Sequence, residues 1–201
     1  MPRDTLVGRA VTVRDAVEAD LPQITAIWNH EVLWTDATTD TEPRDPGAQR
    51  EWFARHPGGY PIVVAATGPE VLAFGALSPY RPKPAFARTV EDSVYVKRGH
   101  RGAGLGDVIL ADLIRRARAH GHHSMLARIT SANSASLRLH ARHGFVIVGV
   151  ESQVACKHDH WLDVTIMQLP PDAFTGFGVV SSNAEIAPPA GEDSTSACRD
   201  R

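Results

Sequence analysis

The stretch from Val90 to Gly121 constrains this chain more than any other. VEDSVYV alternates as a strand does, RGAGLG follows at residues 101–106, and DVILADLIRRARAHG then recurs at helical spacing. Val108, Ile109, Leu110, Leu113, Ile114 and Ala117 share one apolar face, with Arg115, Arg116 and Arg118 largely outside it and Gly121 placed to end the helix. The order puts free backbone amides at a helix N-terminus, beside the end of a strand that carries an acidic residue. Such a turn can grip a pyrophosphate. Gly102, Gly104 and Gly106 remove side chains where a ligand must approach the main chain, and Arg101 adds a cation at the rim. A dinucleotide fingerprint fits poorly, because its glycines are spaced GxGxxG and an acidic residue should close the next strand, whereas SMLARIT has none. No GK[ST] follows the glycines, which excludes a Walker loop. Taken alone, the turn equally suits a plain link between strand and helix.

The remaining pattern predicts the layers around this unit. VTVRDA begins a strand, and Asp20 with Pro22 opens a helix whose Leu21, Ile24, Ile27, Trp28 and Leu33 recur at helical spacing. Asp45 and Pro46 open a shorter helix reaching about His56. Strands are expected near residues 61–66 and 71–77, from about Phe86 to Val96, at 125–130, 146–155 and 161–169, with a helix from Asn133 to His143. That succession reads as a three-layer α/β domain with a mixed sheet.

Composition bounds the function. A chain of 201 residues, 43% of them hydrophobic, suffices for one domain, expected over residues 10–172 between a flexible N-terminus (1–9) and a Gly-, Ser-, Ala- and Pro-rich tail (173–201). The net charge of −2 carries no basic stripe of the kind nucleic acid demands. An anionic ligand must therefore be drawn in locally, by groups such as Lys97, Arg98 and Arg101. No stretch nears the roughly 20 apolar residues that span a bilayer. Cys156 and Cys198 lie far apart, so a disulfide framework is not expected and a cytoplasmic protein with neither membrane nor nucleic-acid partners fits. Cys156, His158 and His160, or His120, His122 and His123, offer no paired metal-ligand spacing, and no metal is expected.

Six segments in order, VRDAVEADLPQITAIWNHEV, YPIVVA, TVEDSVYV, RGAGLG, ITSANSASLRLHARHGF and the K-x-x-x-WLD of residues 157–163, resemble the GNAT N-acetyltransferases. Within them the chain resembles the phosphinothricin and methionine sulfoximine N-acetyltransferase group, over about residues 11–169. The resemblance implies a three-layer α/β/α fold whose mostly antiparallel sheet is splayed by a bulge at the cofactor site. It also implies acetyl-CoA as co-substrate, a small amino-acid analogue as acceptor, and a homodimer.

Acetyl transfer to an amine requires the amine to be unprotonated. By similarity, Glu91 is the base, acting directly or through a water. Main-chain groups of Val94 and Val96, flanking Tyr95, would hold the pantetheine arm, an amide near Ser93 or Val94 would polarise the thioester carbonyl, and Arg101, Gly102, Ala103, Gly104, Leu105 and Gly106 would clasp the diphosphate. Spacing places Asn133, Ser136 and His140 on one helix face. His140 either protonates the leaving thiolate or is a packed histidine bonded to backbone, and Asn133 either meets the pantetheine or caps its own helix. Arg81 and Arg88 are candidates for the acceptor's anionic groups, although Arg88 stands one position from the family's arginine before TVE. Trp28, Trp34 and Phe74 could wall the acceptor pocket or serve the core. Acceptors of another kind (polyamine, aminoglycoside or protein N-terminus) and a non-catalytic acetyl-CoA sensor remain alternatives. Retention of both Glu91 and His140 favours catalysis.

Overall fold

Two apolar layers, one on each face of a seven-stranded sheet, organise the molecule. The structure is a computed structural model and describes residues 10–172, so the expectations for residues 1–9 and 173–201 fall outside the described part. The elements are β1 (Thr12–Asp15), a 3₁₀ turn (Glu18–Asp20), α1 (Leu21–Trp34), α2 (Pro46–Ala54), β2 (Ile62–Thr67) and β3 (Glu70–Pro79), then a second 3₁₀ turn (Pro84–Phe86) and β4 (Thr89–Val96). They continue with α3 (Leu105–Ala119), β5 (Ser124–Thr130), α4 (Ser134–Arg142), β6 (Val146–Lys157) and β7 (His160–Leu169). Spatial order is β1-β2-β3-β4-β5-β7-β6, and β4 with β5 is the parallel pair in an otherwise antiparallel sheet. This is the expected three-layer α/β architecture.

The helices form where caps and apolar spacing agree. Asp45 ends in extended backbone and its carboxylate accepts from the amides of Gly47 (2.7 Å) and Ala48 (2.9 Å), with Pro46 opening α2. Asp20 caps differently from expectation: its side chain makes no bond to the first turn of α1. It is paired instead with Arg14 at 2.6 and 2.9 Å and accepts from the Val17 amide. Ile24, Ile27, Trp28 and Val32 bury α1 against β2 and β3, while Leu33 turns outward, 44% exposed. On the other face Ile109, Leu110, Leu113 and Ile114 bury α3 over β2 to β5, leaving Val108 exposed. Phe86 belongs to the 3₁₀ turn, so β4 starts three residues later than expected, at Thr89.

Two features of β4 position everything that follows. Its antiparallel register with β3 is continuous from Ala73↔Val96 to Pro79↔Val90, so the bulge expected in this strand is not there. Its parallel pairing with β5 covers Thr89↔Ser124, Val90↔Met125 and Glu91↔Leu126 and then stops. Past Glu91 the two strands part, and the sheet opens into a wedge without any irregularity in β4.

Gly75 on β3 lets α3 approach this closely. A Cβ there would lie 2.5 Å from Ile109 Cγ2, 2.9 Å from Leu113 Cδ1 and 3.0 Å from the Ser93 carbonyl oxygen. Gly75→Ala should therefore cost about 1–3 kcal/mol through overpacking, read as a lower midpoint in urea at unchanged slope.

Candidate active site

The wedge between β4 and β5 opens into two cavities that share Ala37, Val94, Tyr95, Thr130, Asn133 and Ser136 as walls. The inner one, about 370 Å³, contains Glu91, Asp92, Arg128 and His140 in its lining. The outer one, about 590 Å³, runs along the glycine turn and the first residues of α3 to α4. They adjoin along those shared walls, the outer one at a helix N-terminus and the inner one at the half-buried Glu91 carboxyl.

The outer groove is built by the turn. Gly102 (φ 81°) and Gly104 (φ 77°) are left-handed, and Gly104 stands at the N-cap of α3, whose first amides have no partners within the helix. Nothing lies within 4 Å of where a Cβ of either glycine would stand, so the main chain is open to a ligand. Arg101, Arg138 and Arg142 line the groove, and Arg101 is ion-paired with the buried carboxylate of Glu31. Lys97 and Arg98 line a different, smaller cavity, and Lys97 Nζ is bound to Glu70 at 2.6 Å. Of the expected cofactor contacts, Val94, Tyr95, Val96, Arg101, Gly102, Gly104, Leu105, Gly106, Asn133 and Ser136 line the groove, and Ala103 does not.

Strand geometry decides where the main chain of β4 points. The Lys97 amide donates to Leu72 O of β3 at 2.8 Å, which places the odd-numbered residues in the hydrogen-bonded pairs of that ladder. Even-numbered residues therefore turn their amides and carbonyls towards β5; the Asp92 amide serves the last rung at Leu126, and Val94 and Val96 point into the wedge where β5 has left. A linear amide-bearing arm finds a strand edge there ready to pair with it.

Glu91 is the last β4 residue in register with β5. Burial pushes its carboxyl up to about 7, with Arg128 opposing that shift and Asp92 and Glu151 adding to it. Arg81 stacks on Tyr80, 5.0 Å from the ring centre, and Arg88 Nε donates to Gly121 O at 3.0 Å, so neither lines the inner cavity. Trp28 does, edge-on to Tyr95 at 4.9 Å, while Phe74 is core and Trp34 is 73% exposed. Burial also raises the Tyr95 phenol, which keeps this wall neutral.

His140 is fully committed within the protein. Its Nε2 lies 2.9 Å from Asp92 Oδ2 and its Nδ1 2.8 Å from the Ser136 carbonyl, with both side chains of the ion pair buried. Burial alone would lower its titration, but the Asp92 charge and hydrogen bond together with the Ser136 carbonyl outweigh this and raise it. Asn133 caps α4, its Oδ1 accepting from the Ser136 amide at 3.1 Å.

Sequence reasoning missed Asp92, Arg128 and the role of Lys157. The buried Lys157 Nζ donates to Thr38 O (2.8 Å) and Glu31 O (3.3 Å), pinning the segment after α1 that walls both cavities. Its signal was the K-x-x-x-WLD spacing. Asp92 and Arg128 carried none, since each reads as an ordinary charged residue on a strand. Among the described residues no group of three His, Cys, Asp or Glu could hold a metal, and no helix is long and apolar enough to cross a membrane.

The acetyltransferase (GNAT) family profile matches residues 24–145. The chain belongs to that family. It is 47% identical over 165 residues to an L-methionine sulfoximine/L-methionine sulfone acetyltransferase of Pseudomonas paraeruginosa, covering 81% of this chain and 96% of that one. It is 42% identical to a phosphinothricin N-acetyltransferase of Streptomyces coelicolor, over 80% and 96% of the two. A solved GNAT phosphinothricin acetyltransferase from Sinorhizobium meliloti, in complex with acetyl-CoA, superposes with a TM-score of 0.77 at 36% identity, covering 80% of this chain and 88% of that one. This GNAT chain is an acetyl-CoA-dependent N-acetyltransferase, and the groove's open amides and arginines suit the co-substrate's diphosphate.

The Asp92–His140 pair ties β4 to α4 across the wedge of this GNAT site. Asp92→Asn should cost about 3 kcal/mol, because it leaves a buried imidazolium without its counter-ion. A raised His140 titration means that the pair's contribution is complete below the ordinary imidazole value and fades as pH rises through the raised one. The gap between wild type and variant in urea unfolding should accordingly be widest at about pH 5–6 and narrow above that range.

Proposed function

We propose that this enzyme acetylates the α-amino group of small amino-acid analogues of the methionine sulfoximine, methionine sulfone or phosphinothricin type, with Glu91 as base. The observation that carries this reading is the place of Glu91, at the point where β4 and β5 part, in a cavity that adjoins the groove along the glycine turn, where burial pushes its carboxyl up to about 7. The relatives' substrates support the acceptor class.

In the proposed reaction Glu91 takes one proton from the substrate ammonium. The freed amine attacks the thioester carbonyl, the carbon–sulfur bond breaks, and the second nitrogen proton ends on the thiolate. The amides of Val94 and Val96 hold the pantetheine arm, and a main-chain amide nearby stabilises the carbonyl oxygen as it gains charge. Transfer is direct and needs no metal. Because both nitrogens of His140 are spent on Asp92 and Ser136, we assign it to positioning β4 against α4, and the proton balance requires no separate acid.

Thiol release from acetyl-CoA, measured with phosphinothricin, L-methionine sulfoximine, L-methionine sulfone, a polyamine and an N-terminal peptide, tests the reading. The amino-acid analogues should be preferred, and Glu91→Gln should lower kcat by about 10²–10⁴-fold while coenzyme A binding persists. For wild type, kcat/KM should climb with pH through about 7 as Glu91 loses its proton, then level off until the amine or another group intervenes. A flat profile across pH 6–8 would refute the base assignment.

We further propose that the enzyme is a homodimer joined through β6. This edge strand exposes Val146, Ile147, Val148, Val150 and Val154, next to Trp161 of β7, an apolar surface that a second copy would cover. Light scattering after size exclusion should give twice the chain mass, and Val148→Lys should shift it towards the monomer.

A further inference from the structure

Among the described residues Arg128 is the one arginine or lysine lining the inner cavity. Strand register places it against the wedge. Glu91 lies opposite Leu126 on the neighbouring parallel strand, and Arg128 follows two residues along β5. Residues two apart on a strand project from the same face, so Arg128 stands beside Glu91, one step of roughly 6–7 Å further into the opened part of the sheet. On its other side β5 pairs with β7, with Arg128 opposite Ile166. The guanidinium is held end-on by Glu151 of β6, Nη1 donating to Oε1 at 3.3 Å and Nη2 to Oε2. Five N–H donors are available on a guanidinium. Those two contacts leave Nε–H and one N–H on each terminal nitrogen without a partner among the described residues, on a side chain 33% exposed.

Glu151 thus fixes the plane of the fork without using it up. An α-amino acid carries its carboxylate on the same carbon as the amine. An amine delivered to Glu91 therefore brings that carboxylate to the neighbouring face position, where a carboxylate is best met by the planar fork of an arginine. Arg81 and Arg88 are engaged elsewhere. The other charged groups lining this cavity are Asp40, Glu91 and the Asp92–His140 pair, none of which would receive an anion.

We propose that Arg128 binds the acceptor's α-carboxylate and so selects amino acids over amines that lack one. The proposal rests on the acetyl-transfer reading of the same site and specifies how its acceptor is recognised.

The test uses L-methionine sulfone and its decarboxylated counterpart, 3-(methylsulfonyl)propan-1-amine, with wild type, Arg128→Gln and Arg128→Lys. Thiol release gives KM and kcat, and calorimetry in the presence of coenzyme A gives Kd. At a pH above the Glu91 titration, which Arg128 holds down, Arg128→Gln should raise both KM and Kd for the amino acid about 10- to 100-fold with little change in kcat, leave the amine's constants unaltered, and be partly rescued by Arg128→Lys. An equal loss for both acceptors would make Arg128 a structural strut between β5 and β6, and no loss for either would also overturn the proposal. Should wild type release no thiol with any acceptor, the acetyl-transfer reading fails while Kd still decides the point: amino-acid binding unaffected by Arg128→Gln, or absent from wild type, refutes the role of Arg128.

Discussion

Three rungs of parallel pairing between β4 and β5, ending at Glu91↔Leu126, are the constraint on which the site depends. A sheet that stops pairing in its middle leaves a row of amides and carbonyls without partners, a costly state inside a protein unless something else binds them. Val94 and Val96 present that row to the wedge, and the co-substrate of this family carries an amide-bearing arm able to answer it. The same parting sets Glu91 where solvent is scarce, which raises its carboxyl into the range a base needs at neutral pH. One geometric event supplies both the binding edge and the tuned acid.

Keeping the wedge open requires rigid banks. On the α3 side, Gly75 admits Ile109 and Leu113 close to β3, and the buried Asp92–His140 pair ties β4 to α4. On the α1 side, Glu31 joins three of these braces in one residue. Its carboxylate meets Arg101 of the diphosphate turn and the Thr35 hydroxyl, and its backbone carbonyl accepts from Lys157. Through Lys157 the β6–β7 hairpin also holds Thr38, a wall of the inner cavity. Groove and chamber are therefore braced by shared residues, so displacement of one is felt at the other.

Local signals in the chain were strong where the physics is local. The apolar spacing of Ile109, Leu110, Leu113 and Ile114 determined that α3 exists and which face it buries, and Asp45-Pro46 determined where α2 begins. RGAGLG marked the turn that lines the outer groove, because glycine takes the left-handed backbone found at Gly102 and Gly104 without steric cost. Signals failed where a residue's partner is distant in sequence. Asp20 reads as a cap yet pairs with Arg14, Val108 and Leu33 fit an apolar pattern yet face outward, and Phe86 looks strand-like yet lies in a turn.

By itself, then, the chain's order of residues determined a three-layer α/β fold, a glycine-rich turn at a helix N-terminus and a carboxyl group on the strand before it, since period, caps and glycine placement act over a few residues. Which cation shares the chamber with that carboxyl was decided only in three dimensions. Arg81 and Arg88 are nearer to Glu91 along the chain, but strand register carries Arg128, from the next strand, onto its face. His140 likewise reads equally as an acid or as a packed histidine until folding places Asp92 and the Ser136 carbonyl against its two nitrogens. Pairings of that kind depend on where strands part and helices cross, and no local pattern encodes them.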